Sequence, residues 1–163
     1  MTDASTSLRF SPDILRRLGE ELNPSLDQSI LELVKNSFDA SAKECTVVLR
    51  NTEKVGGTIE ISDDGDGMDA EWIINGWLIL GRSGRNPEQR TRLNRVPAGS
   101  KGLGRLAALR LGNVATLRSW PHSNPQREYL LNINWSRYDA ALVVEEVALA
   151  VTAPECDELL IWL

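Results

Sequence analysis

Glu32-Leu33-Val34-Lys35-Asn36-Ser37-Phe38-Asp39-Ala40 is the stretch on which the architecture turns. At about 100° per residue, Glu32, Asn36 and Asp39 fall in one narrow stripe of a helix, with Leu26, Ile30, Leu33, Val34 and Phe38 on the opposite side. Taken alone, the segment describes an amphipathic helix with a solvated polar face. Asn36 departs from that pattern, because it is a mediocre helix former placed mid-helix between two carboxylates. Carboxylate and carboxamide oxygens converging on one face could hold a hard cation and a water.

Outward from this helix, which the pattern extends from about Ser25 to Ser41, the chain divides by period. Ser11-Pro12-Asp13 reads as a cap, a first-turn proline and an acid near the helix dipole, so a short helix is predicted to about Leu22, ended by Asn23-Pro24. Strands are predicted over Cys45–Arg50 and Thr58–Ser62, joined by a turn at Gly56-Gly57. Asp69–Leu80 reads as a helix with Trp72, Ile73 and Trp77 on one side, and Gly102–Leu111 as another. From Gly81 to Lys101 the sequence has no hydrophobic period and few apolar anchors, which in a compact domain marks a functional or disordered loop. Val114–Trp120, Glu128–Trp135, Leu142–Val151 and Leu159–Leu163 read as strands of an antiparallel sheet. Helices dominate the first two thirds and strands the last, predicting α+β layers with one sheet face covered by helices.

A second polar stretch, Ile61-Ser62-Asp63-Asp64-Gly65-Asp66-Gly67-Met68, directly follows a predicted strand. Read as an EF-hand it places Ser62 first, Asp69 eighth and Ile73 twelfth, and fails at all three. A plain strand-ending turn explains the glycines. It does not need so many carboxylates, whereas a base-recognising carboxylate beside close-approach glycines would.

A third stretch, Gly99-Ser100-Lys101-Gly102-Leu103-Gly104-Arg105-Leu106-Ala107, opens a helix. Its GxGxxA run lacks the preceding strand of a dinucleotide fingerprint, and no GxxxxGK[ST] motif is present. Glycine-rich turns entering helices bind phosphate through free backbone N–H groups, although a lone turn of this kind equally describes a flexible loop and cap. Arg82, Arg85, Arg90, Arg92, Arg95, Lys101 and Arg105 gather around it, with Glu88 the only acid among them. In a chain of net charge -5 this local basic segment points to an anionic ligand, nucleic acid or an acidic partner.

The bulk numbers bound the answer without deciding it. A chain of 163 residues fits a single domain and can bury roughly 70% of its unfolded surface, enough to fold without a disulfide or structural metal. The acidic balance argues against a general nucleic-acid or membrane-surface binder. Cys45 and Cys156 belong to no CxxC pair and read as two buried free thiols. No apolar run approaches transmembrane length and Met1-Thr2-Asp3-Ala4 opens no signal-peptide core, so the cytoplasm is the expected compartment.

Taken in order, Glu-x-x-x-Asn-Ser-x-Asp-Ala, Asp-x-Gly-x-Gly-Met and Gly-x-x-Gly-x-Gly resemble the signature of the gyrase, heat-shock-chaperone, histidine-kinase and MutL (GHKL) ATPases. The likeness runs from about Leu8 to Val151. Asn-Ser-Phe-Asp-Ala looks more like the gyrase B, MutL, MORC and heat-shock-chaperone branch than like histidine kinases. The resemblance implies a Bergerat fold, an α+β two-layer sandwich whose mostly antiparallel sheet is covered by helices on one face, with ATP and Mg²⁺ as ligands. By motif match Glu32 would be the general base and Asn36 the Mg²⁺ ligand, while Asp39 would help order the site and its water. Asp63 would accept the adenine amino group. Gly65, Gly67 and Met68 would lie along the base, and Gly99, Ser100, Lys101, Gly102, Leu103 and Gly104 along the phosphates. The family's lid tract Gly-x-Ser-x-Lys appears as Gly81-Arg82-Ser83-Gly84-Arg85, giving Ser83 and a weaker Arg85 in a lid over 81–101.

One departure concerns the end. The family's terminal Gly-Thr-x-Ile strand is matched only by Asp157-Glu158-Leu159-Leu160-Ile161, without the Thr, and the sequence ends at Leu163 with no transducer domain following. The expectation is therefore a single ATP-binding domain over 1–163. It would hydrolyse slowly and drive a nucleotide-dependent homodimer or an effector protein, meeting nucleic acid only through a larger complex. A non-hydrolysing ATP-binding regulatory module or a truncated gene product is the alternative. A histidine-kinase catalytic domain lacks a visible dimerisation helix or phosphoacceptor, and His122 sits in a surface turn.

Overall fold

The computed structural model describes residues 7–22, 24–81, 90–99 and 102–154. Helix α1 (Asp13–Leu22) starts where the sequence places a cap, with Asp13 N–H donating to Ser11 Oγ at 3.4 Å and Ile14 N–H to Ser11 O at 3.1 Å. Helix α2 (Leu26–Asp39) follows the extended Ser25. It stops two residues before the expected Ser41, which turns to φ 64, the left-handed region that ends helices. Its faces also differ from the helical-wheel reading. Asp39 is buried with Ser29 and Ser37, while Leu26 and Phe38 are exposed. Phe38 instead carries Arg95 over its ring at 4.6 Å.

Strands β1 (Cys45–Arg50) and β2 (Thr58–Asp63) form an antiparallel hairpin in the register Cys45↔Asp63 through Arg50↔Thr58. The turn uses positive φ at Asn51 and at Gly56 (91°), a conformation in which glycine meets no Cβ penalty. This register puts Asp63 across from Cys45, beside the C-terminal end of α2.

The segment after the second motif is not the regular helix expected over Asp69–Leu80. Asp69 caps a single turn, α3 (Ala70–Trp72), accepting from Trp72 N–H at 2.7 Å, and the chain then widens into a π turn over Ile73–Trp77. Ile73 is fully buried whereas Trp72 is half exposed. A Cβ on Gly76 would fall 1.6 Å from the Trp72 ring, so the indole occupies the space a side chain there would take. Single π turns of this kind recur near functional sites.

A 3₁₀ turn, Gly104–Leu106, leads into α4 (Ala107–Leu111), and β3 (Val114–Ser119), β4 (Tyr129–Asn134) and β5 (Val151–Thr152) make a second antiparallel sheet in that order. The expected strand over Leu142–Val151 is mostly absent. Leu142 N–H is taken by the Glu146 carboxylate at 2.8 Å and Val144 N–H by Phe10 O at 3.0 Å, leaving only Val151 and Thr152 to pair with β4. The expected strand over Leu159–Leu163 lies outside the described residues. Leu15 of α1, Ile73, Leu106, Leu131 and Ile133 of β4, and Tyr138 close one hydrophobic core between helices and sheet. The result is the α+β arrangement with antiparallel sheets that the sequence predicts. Among the described residues no helix is long and apolar enough to cross a membrane.

Candidate functional site

Helix α2 is the spine to which both glycine-rich stretches attach. At its C-terminal end Ser37 Oγ donates to Asp63 Oδ2 at 2.7 Å, and Gly65 N–H donates to Asp63 Oδ1 at 2.9 Å. The Cys45 thiol lies 3.5 Å from Ser37 Oγ as donor, half-buried, which corrects the expectation of a buried thiol; Cys156 lies outside the described residues. Each Asp63 oxygen still has a lone pair for another donor. A side chain on Gly65 would strike Asp63 Oδ1 at 2.7 Å and Ala40 O at 2.8 Å, so glycine is required for the loop to lie this close.

The rest of the second motif is braced on two sides. Asp66 N–H donates to Ala40 O at 2.7 Å, while His122 N–H donates to Asp66 O at 2.7 Å. Gly67 takes φ 64 with the Trp120 carbonyl 2.1 Å from where a Cβ would stand. Met68 N–H donates to Ser119 Oγ at 2.6 Å, and its side chain packs on the core. Asp64 accepts from Lys43 and Glu44 N–H at 2.7 and 2.9 Å, and these backbone bonds, Glu44's foremost, hold its carboxyl below the ordinary 3.8.

The third stretch meets α2 at mid-length. A Cβ on Gly104 would stand 3.3 Å from Glu32 Oε2 and 3.7 Å from Asn36 Oδ1, so this glycine brings backbone against the polar stripe. Glu32 Oε1 is paired with Lys35 Nζ at 2.6 Å, leaving Oε2 on the glycine side. Gly102 adopts φ 66 and accepts from Gly81 N–H at 3.3 Å. Leu103 packs against the core. Among the described residues, the N–H groups of Gly102, Leu103 and Gly104 have no acceptor.

Asp39 is placed differently from Glu32 and Asn36. Its two oxygens accept from Ala98 N–H at 2.6 Å and Gly99 N–H at 3.0 Å, tying the approach to the third motif onto the end of α2. The stretch 90–99 is also better anchored than its lack of apolar residues suggests. Arg92 pairs with Asp66 at 2.5 Å, and Arg95 donates to Ala42 O at 2.5 Å while covering Phe38. The motif reading gives no role to these arginines or to Ser37, yet the structure sets them against Asp66, Ala42 O and Asp63. The basic cluster is the available signal for Arg92 and Arg95, whereas for Ser37 the sequence offers only its place within the first polar stretch. Ser83, Arg85, Ser100 and Lys101 lie outside the described residues.

Among the described residues no group of three or more His, Cys, Asp or Glu side chains could hold a metal ion.

A protein of Herpetosiphon aurantiacus bearing the name "Putative type II restriction enzyme HgiDII" is 34% identical over 119 residues, which is 73% of this chain and 19% of that protein. The chain thus spans about a fifth of the length of the relative it matches. A family model for the histidine kinase-, DNA gyrase B- and HSP90-like ATPases matches residues 24–159. With that match running through all three polar stretches and both sheets, the chain belongs to the histidine kinase-, DNA gyrase B- and HSP90-like ATPase family, the GHKL superfamily.

Proposed function

We propose that the chain binds Mg-ATP across the polar stripe of α2 and hydrolyses it slowly, serving as the nucleotide module of a larger assembly. The observation that carries this reading is the approach of Gly104 to Glu32 Oε2 and Asn36 Oδ1, where the third motif's backbone donors stand beside the first motif's oxygens. Adenine would lie at Asp63, whose fixed carboxylate accepts from an amino group and repels the carbonyl of guanine. Gly65 and Gly67 leave room for the base, with Met68 at its edge. Triphosphate would run along Gly99, Ser100, Lys101, Gly102, Leu103 and Gly104, with Ser83 and Arg85 contributing from the lid by motif match.

Asn36 Oδ1 would be the protein ligand of Mg²⁺, which when bound offsets phosphate charge. Glu32 Oε2 would take the proton of an attacking water, with Lys35 holding Oε1 and so fixing the carboxylate's orientation. Asp39 would act through the backbone it holds at Ala98 and Gly99.

The test is calorimetry of the chain with ATP and GTP, with and without Mg²⁺, followed by phosphate release. ATP should bind tightly only with Mg²⁺, and GTP weakly. Equal, Mg²⁺-independent affinity for both would remove the reading. Binding without measurable phosphate release would instead leave a regulatory ATP-binding module.

The relative's name favours one refinement, in which the nucleotide state drives a partner or second copy that works on DNA. The chain's net charge of -5 makes direct DNA binding by this domain unfavourable, so that contact would come through the assembly. Phosphate release stimulated by DNA when the chain is joined with its partner, but not by the chain alone, would support it.

A further inference from the structure

Arg105 follows Gly104 directly, and its side chain reaches residues 76–79. Its Nη1 donates to Gly76 O at 2.8 Å and to Trp77 O, and reaches Ile79 O at 3.5 Å, with the guanidinium 5.8 Å from the Trp77 ring centroid. Gly76 and Trp77 end the π turn and Ile79 follows it, where helix-type donors have run out. The guanidinium donates from Nη1 to these carbonyls while lying over the neighbouring indole, a combination that a compact ammonium does not reproduce. At the other end of the turn Gly81 N–H donates to Gly102 O at 3.3 Å. Gly102–Arg105 is thus fastened at both ends to residues 76–81, and Leu106, 2% exposed, anchors it inward.

We propose that Arg105 is a positioning residue for the phosphate-binding turn, resting on the nucleotide reading above. The N–H groups of Gly102, Leu103 and Gly104 have no acceptor among the described residues, so their direction has to be set by what holds the turn from behind. Arg105 does this without touching the ligand. Its contribution therefore scales with how much of the ligand is phosphate. A residue that merely stabilises the fold would affect all nucleotides alike.

The experiment compares wild type, Arg105→Gln and Arg105→Lys as the full chain, with Mg-ATP titrated by calorimetry and adenosine by displacement. Arg105→Gln should lose about tenfold or more in ATP affinity while adenosine changes by less than about twofold. Arg105→Lys, keeping charge but not the fork, should fall between. Parallel losses for both ligands, or no loss for either, would overturn the role. Should Arg105→Gln fail to fold by circular dichroism, Arg105→Lys carries the comparison, and an ATP-selective loss of several-fold is expected; equal loss for both ligands overturns it. A wild type that binds ATP while the variants bind equally well defeats only Arg105's role. A wild type that binds neither ligand defeats the nucleotide reading itself.

Discussion

Ser37 Oγ donates to Asp63 Oδ2 at 2.7 Å, so the last turn of α2 sets the direction in which the end of β2 presents its carboxylate. Ser37 is buried and cannot exchange this partner for bulk water. Asp63→Ala removes the acceptor outright and should weaken ATP binding by about tenfold or more, through a lost charge-assisted bond of roughly 1.5–3 kcal/mol. Ser37→Ala leaves the carboxylate but frees its orientation. A smaller loss of about 0.5–1.5 kcal/mol in ATP binding is expected, with part of the discrimination against GTP lost. Calorimetry of the two variants with both nucleotides checks this; wild-type affinity in Asp63→Ala would remove the adenine assignment.

On the proposed reading, Glu32 serves the chemistry and Asn36 the binding. Glu32→Ala should bind Mg-ATP nearly normally and lose roughly 10²–10⁴ in hydrolysis rate, the usual contribution of a general base. Asn36→Ala should lose the magnesium dependence of binding instead. Single-turnover phosphate release and titrations with and without Mg²⁺ distinguish the two. Wild-type turnover in Glu32→Ala would take Glu32 out of the mechanism.

Sequence pattern reached most of the secondary structure, because α1, α2 and both hairpin strands have clear periods and punctuating Gly, Pro or Ser residues. The three polar stretches that it singles out meet along α2 in the fold. What it missed depends on contacts distant in sequence. The π turn at Ile73–Trp77 follows from Trp72 folding onto Gly76. The shortened strand near Leu142 follows from backbone groups claimed by Glu146 and Phe10. The helical wheel placed Asp39 with Glu32 and Asn36, yet Asp39 is buried by the 98–99 backbone it receives. Arg95 reversed the reading of Phe38, since an aromatic can stay exposed when a guanidinium covers it.

Gly67 and Gly81 both carry positive φ, at 64° and 75°, but among the described residues only Gly67 faces a neighbour. A Cβ there would stand 2.1 Å from Trp120 O, while one on Gly81 meets none of the described residues within 4 Å. Gly81→Ala should therefore cost only the backbone strain, about 1 kcal/mol. Gly67→Ala adds a clash with a carbonyl held in the β3–β4 connection and should cost several times more, of order 3 kcal/mol. Thermal melts of both variants test the difference. Equal losses would mean that the Trp120 connection yields freely.

Asp64 gives the fold an acid-sensitive link between the end of β2 and the Lys43–Glu44 turn. Backbone N–H bonds from Glu44 and Lys43 lower its carboxyl below the ordinary 3.8. A depressed folded-state value contributes stability that is fully present above the unfolded value and is lost as pH falls through the folded one. The wild type should thus lose its advantage over Asp64→Asn as pH drops below about 4. Urea midpoints of both proteins from pH 6 to pH 3 read this directly. A constant gap across that range would show that the bonds survive protonation and that Asp64 is not the source.

Residues 90–99 provide the last test, because their three arginines differ in how they are held. Arg92 is paired with Asp66 and Arg95 with Ala42 O and the Phe38 ring, whereas Arg90 is exposed and makes no ion pair among the described residues. Trypsin needs a locally opened backbone, so in the ligand-free chain cleavage at Arg90 should precede cleavage at Arg92 and Arg95. Asp39→Asn keeps one acceptor oxygen but loses the charge that holds Ala98 and Gly99 N–H. Charge-assisted bonds of this type contribute about 1.5–3 kcal/mol, so opening of the stretch should become at least about tenfold more frequent. Cleavage at Arg92 and Arg95 should rise accordingly, with Arg90 little changed. Mg-ATP, engaging the backbone from Gly99 onward, should slow cleavage at Arg92 and Arg95 in wild type and less in Asp39→Asn. An unchanged pattern in the variant would mean that Arg92 and Arg95 suffice as anchors and that Asp39 does not fasten this stretch.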